Sequence, residues 1–215
     1  MPLSSTAIAN LALRRIGIQQ TIADLTENSG PARACNAFYA HVLEIALRER
    51  PWPFAQRWVD LALVSENPTP DHQYSYRYPA GFLSVNRLVQ IGESTAYARY
   101  PYAPSDPYEN QERYLTNPYQ ISTDDSGRLI FCNIVSARVQ GTYSVIDTTL
   151  FDPLFADALS WRLASEGAAG LTKDAAIQQG AMASYDLAVG KAFAATLNET
   201  KPEMEMEAAS IRARD

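Results

Sequence analysis

Hydrophobic residues recur at helical spacing near the start of the chain. Four of them share one face of a first predicted helix: Ile8, Leu11, Ala12 and Ile16. Thr6 can cap the start of this helix, and Gly17 stands where a left-handed residue would end it. The pattern therefore predicts a short amphipathic helix that stops at Gly17.

A second amphipathic helix is predicted to open at Ser29 or Gly30, with Pro31 in its first turn. Its predicted apolar face contains Cys35, Phe38, Val42 and Ile45, widened by Tyr39, Leu43 and Ala46. The helix must end near Arg50, because Pro51 has no amide hydrogen and disfavours a helical conformation in the residue before it.

Two large aromatic side chains follow this helix. Trp52 and Phe54 alternate with Pro51 and Pro53, so the backbone that carries them is rigid. Such an element can close the end of a helical bundle, and we interpret Trp52 and Phe54 as a structural corner rather than a binding site.

Helical periodicity is lost in the middle of the chain, where tyrosine and proline are concentrated. Five strands are predicted there, over residues 58–64, 82–91, 119–123, 128–133 and 138–146. The Asp-Asp-Ser-Gly sequence at 124–127 predicts a hairpin turn in which Gly127 takes a positive φ. Asp124 and Asp125 could also be imagined as calcium ligands, but a plain turn fits this short loop better. We therefore predict a small antiparallel β domain.

Helices are predicted again towards the end of the chain. Asp152 and Pro153 form a cap and first turn, and the helix runs to the region of Gly167 and Gly170. Thr172 is then the predicted cap of a long alanine-rich helix that reaches about residue 197. Small residues along it would let another helix approach closely, from this chain or a neighbouring copy: Ala176, Gly180, Ala183, Ala188 and Ala192.

These elements predict an α+β fold. The segments 1–56 and 148–215 are predicted to form one α-helical bundle, with 198–215 as a C-terminal arm. The small antiparallel β domain, residues 57–147, is inserted between them and includes a long loop at 93–118.

Composition and charge narrow the class of protein. The chain has 215 residues and 47% hydrophobic content, so it can bury one or two cores without disulfides or metal ions to stabilise them. Its formal net charge is −6. We expect a soluble globular protein, since no apolar run is long enough for a membrane span and the start lacks the features of a signal peptide. The two cysteines, Cys35 and Cys132, are predicted to be buried free thiols. No segment is basic enough to clamp nucleic acid.

The chain offers little material for catalysis. His41 and His72 have no neighbouring pattern of a metal site or catalytic triad, and Glu44 beside His41 fits a solvated helix face. No nucleophile elbow, phosphate-binding loop or dinucleotide fingerprint occurs in the sequence. We therefore expect a protein that is not an enzyme, with no catalytic residue, cofactor or metal.

Several of these elements follow one another in an order typical of one family. The stretches concerned are Leu11 to Gly17, Ile22 to Ser29, Ala32 to Tyr39, Pro51 to Ala55, and Tyr76 to Pro79. Together they resemble tail tubular protein A, the head-to-tail adaptor of short-tailed phages. The resemblance covers roughly the first ninety residues and thins to similar architecture afterwards.

The resemblance implies a structural virion protein, made in the host cytoplasm and located at the head-to-tail interface. Proteins of that family form a twelve-fold ring beneath the portal, carry the tail nozzle below, and let the genome pass through the channel. It also implies that the C-terminal arm faces the portal, so the hypothetical portal contacts are Glu203, Met204, Glu205, Met206, Glu207 and Ile211. Methionines suit irregular apolar grooves, and the glutamates would orient the arm against basic groups.

The long loop is the predicted nozzle contact. Its tyrosines offer large, rigid and amphipathic area for an interface: Tyr97, Tyr100, Tyr102, Tyr108 and Tyr114. The alternative hypothesis is a small-molecule-binding or enzymatic domain of unrecognised type, in which this tyrosine-rich loop lines a pocket.

Overall fold

The computed structural model describes residues 2–92 and 118–199. Within that part, four α-helices form: α1 (Ser5–Arg15), α2 (Gly30–Glu49), α3 (Pro153–Leu171) and α4 (Ala175–Glu199). The strands there are β1 (Gln56–Asp60), β2 (Leu63–Thr69), β3 (His72–Arg77), β4 (Phe82–Gln90), β5 (Tyr119–Asp124), β6 (Gly127–Cys132) and β7 (Ala137–Tyr143). The predicted α+β fold class is confirmed.

The first two helices begin at serine caps. Ser4, and not the predicted Thr6, caps α1, because the Ser4 hydroxyl accepts the Ala7 N–H at 3.1 Å and Thr6 already lies inside the helix. Gly17 follows α1 with a φ of +82°, which confirms the predicted left-handed stop. The Ser29 hydroxyl caps α2 by accepting the Ala32 N–H at 3.3 Å.

The turn between α3 and α4 contains a capping residue that was predicted wrongly. Asp152 caps α3 as predicted, by accepting the Leu154 N–H at 2.8 Å. Thr172 does not cap α4; its hydroxyl and its N–H both donate to the Ala168 carbonyl at 2.8 Å and so end α3. Asp174 accepts the Ala176 N–H at 2.8 Å and takes the capping role.

One hydrophobic core combines both ends of the chain, because α3 contacts α1, α2 and α4. The buried residues of α2 are Ala32, Cys35, Val42, Leu43, Ala46 and Leu47. The predicted apolar face was wrong at Phe38, which is 37% exposed, since the buried stripe is rotated away from it. Of the small residues of α4, Ala192 is buried, whereas Ala176, Gly180 and Ala183 are exposed.

The strands form two antiparallel sheets, one in the order β1-β7-β4 and one in the order β2-β3-β6-β5. The predicted strand at 58–64 is really two strands, because the chain changes sheets at Leu61 and Ala62. The Leu61 N–H donates to the Ala137 carbonyl at 2.9 Å, and the Ala62 carbonyl accepts the Arg77 N–H at 2.9 Å. Strand β3 was not predicted, since its polar residues alternate with tyrosines whose burial depends on the second sheet.

A second core lies in the β domain and includes Tyr76, Leu88, Ile130 and Val139. Tyr143, the last residue of β7, packs against both cores. The hairpin between β5 and β6 turns at residues 125 and 126, and Gly127 has a φ of +130°, as predicted. Cys35 and Cys132 are buried free thiols in different cores, which confirms the prediction for them.

Gly141 is a position in β7 where a side chain does not fit. A Cβ atom there would lie 2.2 Å from the Ser84 carbonyl oxygen and 2.7 Å from Cδ1 of Phe82. Since the first of these atoms belongs to the backbone of β4, we expect Gly141→Ala to lower the free energy of unfolding by about 1 to 3 kcal/mol. Urea denaturation measures this change.

Gly180→Ala is the matched control, because a Cβ atom at Gly180 meets nothing within 4 Å on the exposed side of α4. We expect it to raise the free energy of unfolding by up to about 1 kcal/mol, since alanine favours helix. Equal urea midpoints for Gly141→Ala and the parent would contradict the steric argument.

Candidate functional site

The corner after α2 contains Trp52 and Phe54, the residues predicted to be structural. Trp52 is 1% exposed, and its Nε1–H donates to the Ala46 carbonyl at 2.8 Å. Its ring centroid lies 5.0 Å from that of Phe155 in α3 and 6.2 Å from that of Phe193 in α4, both edge-on. Phe54 also lies edge-on to Phe155, at 5.0 Å. We refer to this cluster as the aromatic corner; it joins three helices.

The buried nucleophiles of the chain are held in their protonated forms. Burial raises the pKa of the Cys35 thiol to about 11 and also raises that of Cys132. Burial raises the pKa of the Tyr39 phenol to about 12. The pKa of Tyr185 is raised by burial and by its hydrogen bond to the Glu49 carboxylate. Neutral side chains at these positions suit packing rather than nucleophilic attack.

The remaining candidates for chemistry lie apart from one another. His41 is exposed on α2, and the His72 ring is 3.0 Å from the Thr69 hydroxyl in the turn between β2 and β3. Asp124 accepts two hydrogen bonds from Arg77, at 2.7 and 2.9 Å, and so belongs to an ion pair beside the hairpin. In residues 2–92 and 118–199, no three His, Cys, Asp or Glu side chains are grouped so that they could hold a metal ion.

A cleft of about 520 Å³ lies between the two sheets. One wall comes from β1, β4 and β7, and the other from the ends of β3 and β6. Of the described residues, the charged ones that line it are Arg57, Arg77, Arg128 and Asp60, which together carry a formal charge of +2 in a chain whose net charge is −6. We refer to this feature as the inter-sheet cleft.

Two of these arginines stack on tyrosine rings. The guanidinium carbon of Arg57 lies 3.7 Å from the ring centroid of Tyr143, and that of Arg128 lies 3.7 Å from the ring centroid of Tyr78. Within the described residues, neither arginine has a carboxylate at ion-pair distance.

The other charges of the cleft are paired. Arg77 binds both carboxylate oxygens of Asp124, and the hydrogen bonds from Arg77 lower the pKa of Asp124. Arg138 donates to Asp60 and lowers the pKa of that carboxyl in the same way. Among the residues that the structure describes, the unpaired positive charge of the inter-sheet cleft therefore belongs to Arg57 and Arg128.

The predicted portal and nozzle contacts lie outside the described residues. For the portal these are Glu203, Met204, Glu205, Met206, Glu207 and Ile211, and for the nozzle Tyr97, Tyr100, Tyr102, Tyr108 and Tyr114. Sequence reasoning also missed the inter-sheet cleft. The stacked partners come from strands far apart in sequence, and only the pairing of strands brings them together.

No protein-family model matches this chain, and no curated protein matches it either. Among the helices of the described ranges, none is both long and apolar enough to cross a membrane.

Removal of the Trp52 side chain tests the aromatic corner. We expect Trp52→Ala to lower the free energy of unfolding by about 3 to 5 kcal/mol, because it leaves a cavity between three helices. Trp52→Phe keeps a ring but leaves the Ala46 carbonyl without its donor, and should cost about 1 to 3 kcal/mol. Urea denaturation followed by circular dichroism measures both. Trp58→Ala is the control, because Trp58 is 40% exposed, and it should lower the free energy of unfolding by less than Trp52→Ala does. A larger loss for Trp58→Ala than for Trp52→Ala would refute the structural role of Trp52.

Thiol labelling tests the burial of the cysteines. In a Cys132→Ser variant at pH 8, we expect Cys35 to react with iodoacetamide at least about 100-fold more slowly than a free thiol, because only the thiolate reacts. Its raised pKa of about 11 keeps the thiolate scarce at that pH, and burial restricts access further. Full labelling should follow unfolding in guanidinium chloride. Rapid labelling of the folded protein would show that Cys35 is accessible.

Proposed function

We propose that this chain is a structural virion protein, a ring-forming head-to-tail adaptor that joins the portal to the tail nozzle and lines the DNA channel. The motifs between Leu11 and Pro79 support this proposal, because they and their order along the chain resemble tail tubular protein A. The structural observation that carries it is an exposed apolar surface on the connection between β7 and α3.

Two large apolar residues on this connection and one in the first turn of α3 are exposed. Ile146 is 80% exposed, Leu150 51% and Leu154 43%. We refer to them as the 146–154 strip. Contiguous exposed apolar patches larger than about a few hundred Å² mark surfaces that another protein covers, whereas single exposed apolar side chains are normal. The strip brings three exposed apolar side chains into one short segment of the chain.

The strip is rigidly supported. Phe151 and Phe155, which alternate with its members, are 6% and 0% exposed and pack edge-on with ring centroids 5.1 Å apart. Phe155 also contacts Trp52, so the aromatic corner anchors the backbone that carries the strip. A surface fixed in this way loses little conformational entropy when a partner binds. We infer that neighbouring copies in the ring cover the 146–154 strip.

The same proposal includes the two outer contacts. The C-terminal arm, with Met204 and Met206, contacts the portal, and the tyrosine-rich loop at 93–118 contacts the nozzle. The net charge of −6 per copy supports a channel that does not retain DNA, because phosphate affinity depends on lysine and arginine.

Assembly onto portal-containing heads tests the adaptor role. Purified protein is mixed with tailless heads, and electron microscopy counts the vertices that carry a ring. We expect the parent to occupy the portal vertex. The variant Ile146→Ser/Leu150→Ser should lower the occupied fraction at least about tenfold, because polar side chains remove the apolar contact between copies.

Leu187→Ser is the matched control, since Leu187 is 68% exposed on α4 and lies outside the strip. It should occupy vertices like the parent. Heads that never bind the parent would overturn the adaptor proposal. Full occupancy by the Ile146→Ser/Leu150→Ser variant would refute the role of the strip alone.

A gel-shift titration tests the channel property. We expect no binding of duplex DNA by the isolated protein at physiological salt, because the chain is acidic and phosphate affinity depends on lysine and arginine. Tight binding that weakens as salt is raised would contradict this expectation.

A further inference from the structure

We propose that the inter-sheet cleft binds a small organic anion, a carboxylate or phosphate group joined to an apolar body. This site is separate from the adaptor role and does not depend on it. The inference rests on the arrangement of charge, apolar wall and volume in the cleft.

Two arginines of the cleft stack on tyrosine rings. Arg57 and Arg128 each place the guanidinium carbon over a tyrosine ring, at 3.7 Å from the ring centroid. Stacking occupies one face of the guanidinium and leaves the N–H groups at its edge available for an oxyanion. Carboxylates and phosphates match this edge, because two parallel N–H donors can bind two of their oxygens.

The tyrosine rings under these arginines are held in place by the fold. Gly81 has a φ of +77°, and a Cβ atom there would lie 2.6 Å from Cε2 of Tyr143. The missing side chain therefore lets the Tyr143 ring lie directly against the backbone, where it forms a platform for Arg57. Arg128 has a comparable platform in Tyr78, which is 8% exposed. Fixed platforms reduce the entropy that each arginine loses on binding.

The cleft also has apolar walls that can hold the apolar part of the ligand. Its apolar lining includes Val59, Leu61, Ala62, Pro79 and Phe82. Its volume of about 520 Å³ suits a small molecule, since such pockets usually measure about 300 to 1,000 Å³ and combine apolar walls with a few polar groups. Arg57 and Arg128 belong to different sheets and line one compact space, which favours a small molecule over an extended acidic peptide.

Isothermal titration calorimetry on the full chain tests this site with four probes. Benzoate and phenyl phosphate each combine one oxyanion with an apolar ring. Inorganic phosphate lacks the apolar body, and a peptide of the sequence Glu-Met-Glu-Met-Glu represents an acidic segment. We expect benzoate or phenyl phosphate to bind at least about tenfold more tightly than inorganic phosphate. The tighter of the two identifies the anionic group as carboxylate or phosphate.

Single variants connect the binding to the cleft. Arg57→Gln and Arg128→Gln should each weaken binding at least about tenfold, because each removes an unpaired guanidinium. Both residues are exposed, so we expect the variants to keep the parent circular dichroism spectrum. Arg48→Gln is the control: it removes the same charge from an exposed position on α2, outside the cleft, and should leave binding unchanged.

Two results would overturn the proposal. One is the absence of binding by benzoate and phenyl phosphate up to about 10 mM. If the acidic peptide binds while both aromatic anions fail, the cleft is a contact for another protein. The other result is unchanged binding by folded Arg57→Gln and Arg128→Gln. None of these results depends on heads or rings, so they leave the adaptor proposal untouched.

Discussion

Burial of Trp52 between α2, α3 and α4 is the constraint on which the rest of the structure depends. This ring, with Phe155 and Phe193, lies in the one core that the helices from the two ends of the chain share, and it fills the space between them. Strand β1 begins at Gln56, directly after the aromatic corner, and Gln56 pairs with Thr142 of the returning strand β7. The corner therefore determines where the chain enters the β domain and where it comes back.

The sequence predicted those features that depend on neighbouring residues. Ser29 and Asp152 cap helices because their hydroxyl and carboxylate reach N–H groups two or three positions ahead. Thr172 was misassigned since the same hydroxyl can also bond backwards to a carbonyl, and the local sequence does not decide between the two. The change of sheets at Leu61 was missed because the apolar pattern runs through it without a break.

The candidate sites depend on contacts that no local pattern encodes. Arg57 and Tyr143 lie on paired strands, but their stacking depends on the absence of a side chain at Gly81, on a third segment. Ile146 and Leu150 are likewise exposed while Phe151 is buried, and an apolar run alone does not reveal which of its side chains turn inward. Tyr143 contacts both cores and the 146–154 strip begins shortly after it, so the cleft and the strip share one support.

The connection between β1 and β2 has a consequence for how this protein can vary during evolution. Two adjacent residues bond to different sheets here, Leu61 through its N–H and Ala62 through its carbonyl. An insertion or deletion of one residue here would shift both ladders out of register and reverse the faces of the strand that follows. Surface loops elsewhere can change length freely, whereas homologues of this chain should keep the spacing between the aromatic corner and β2.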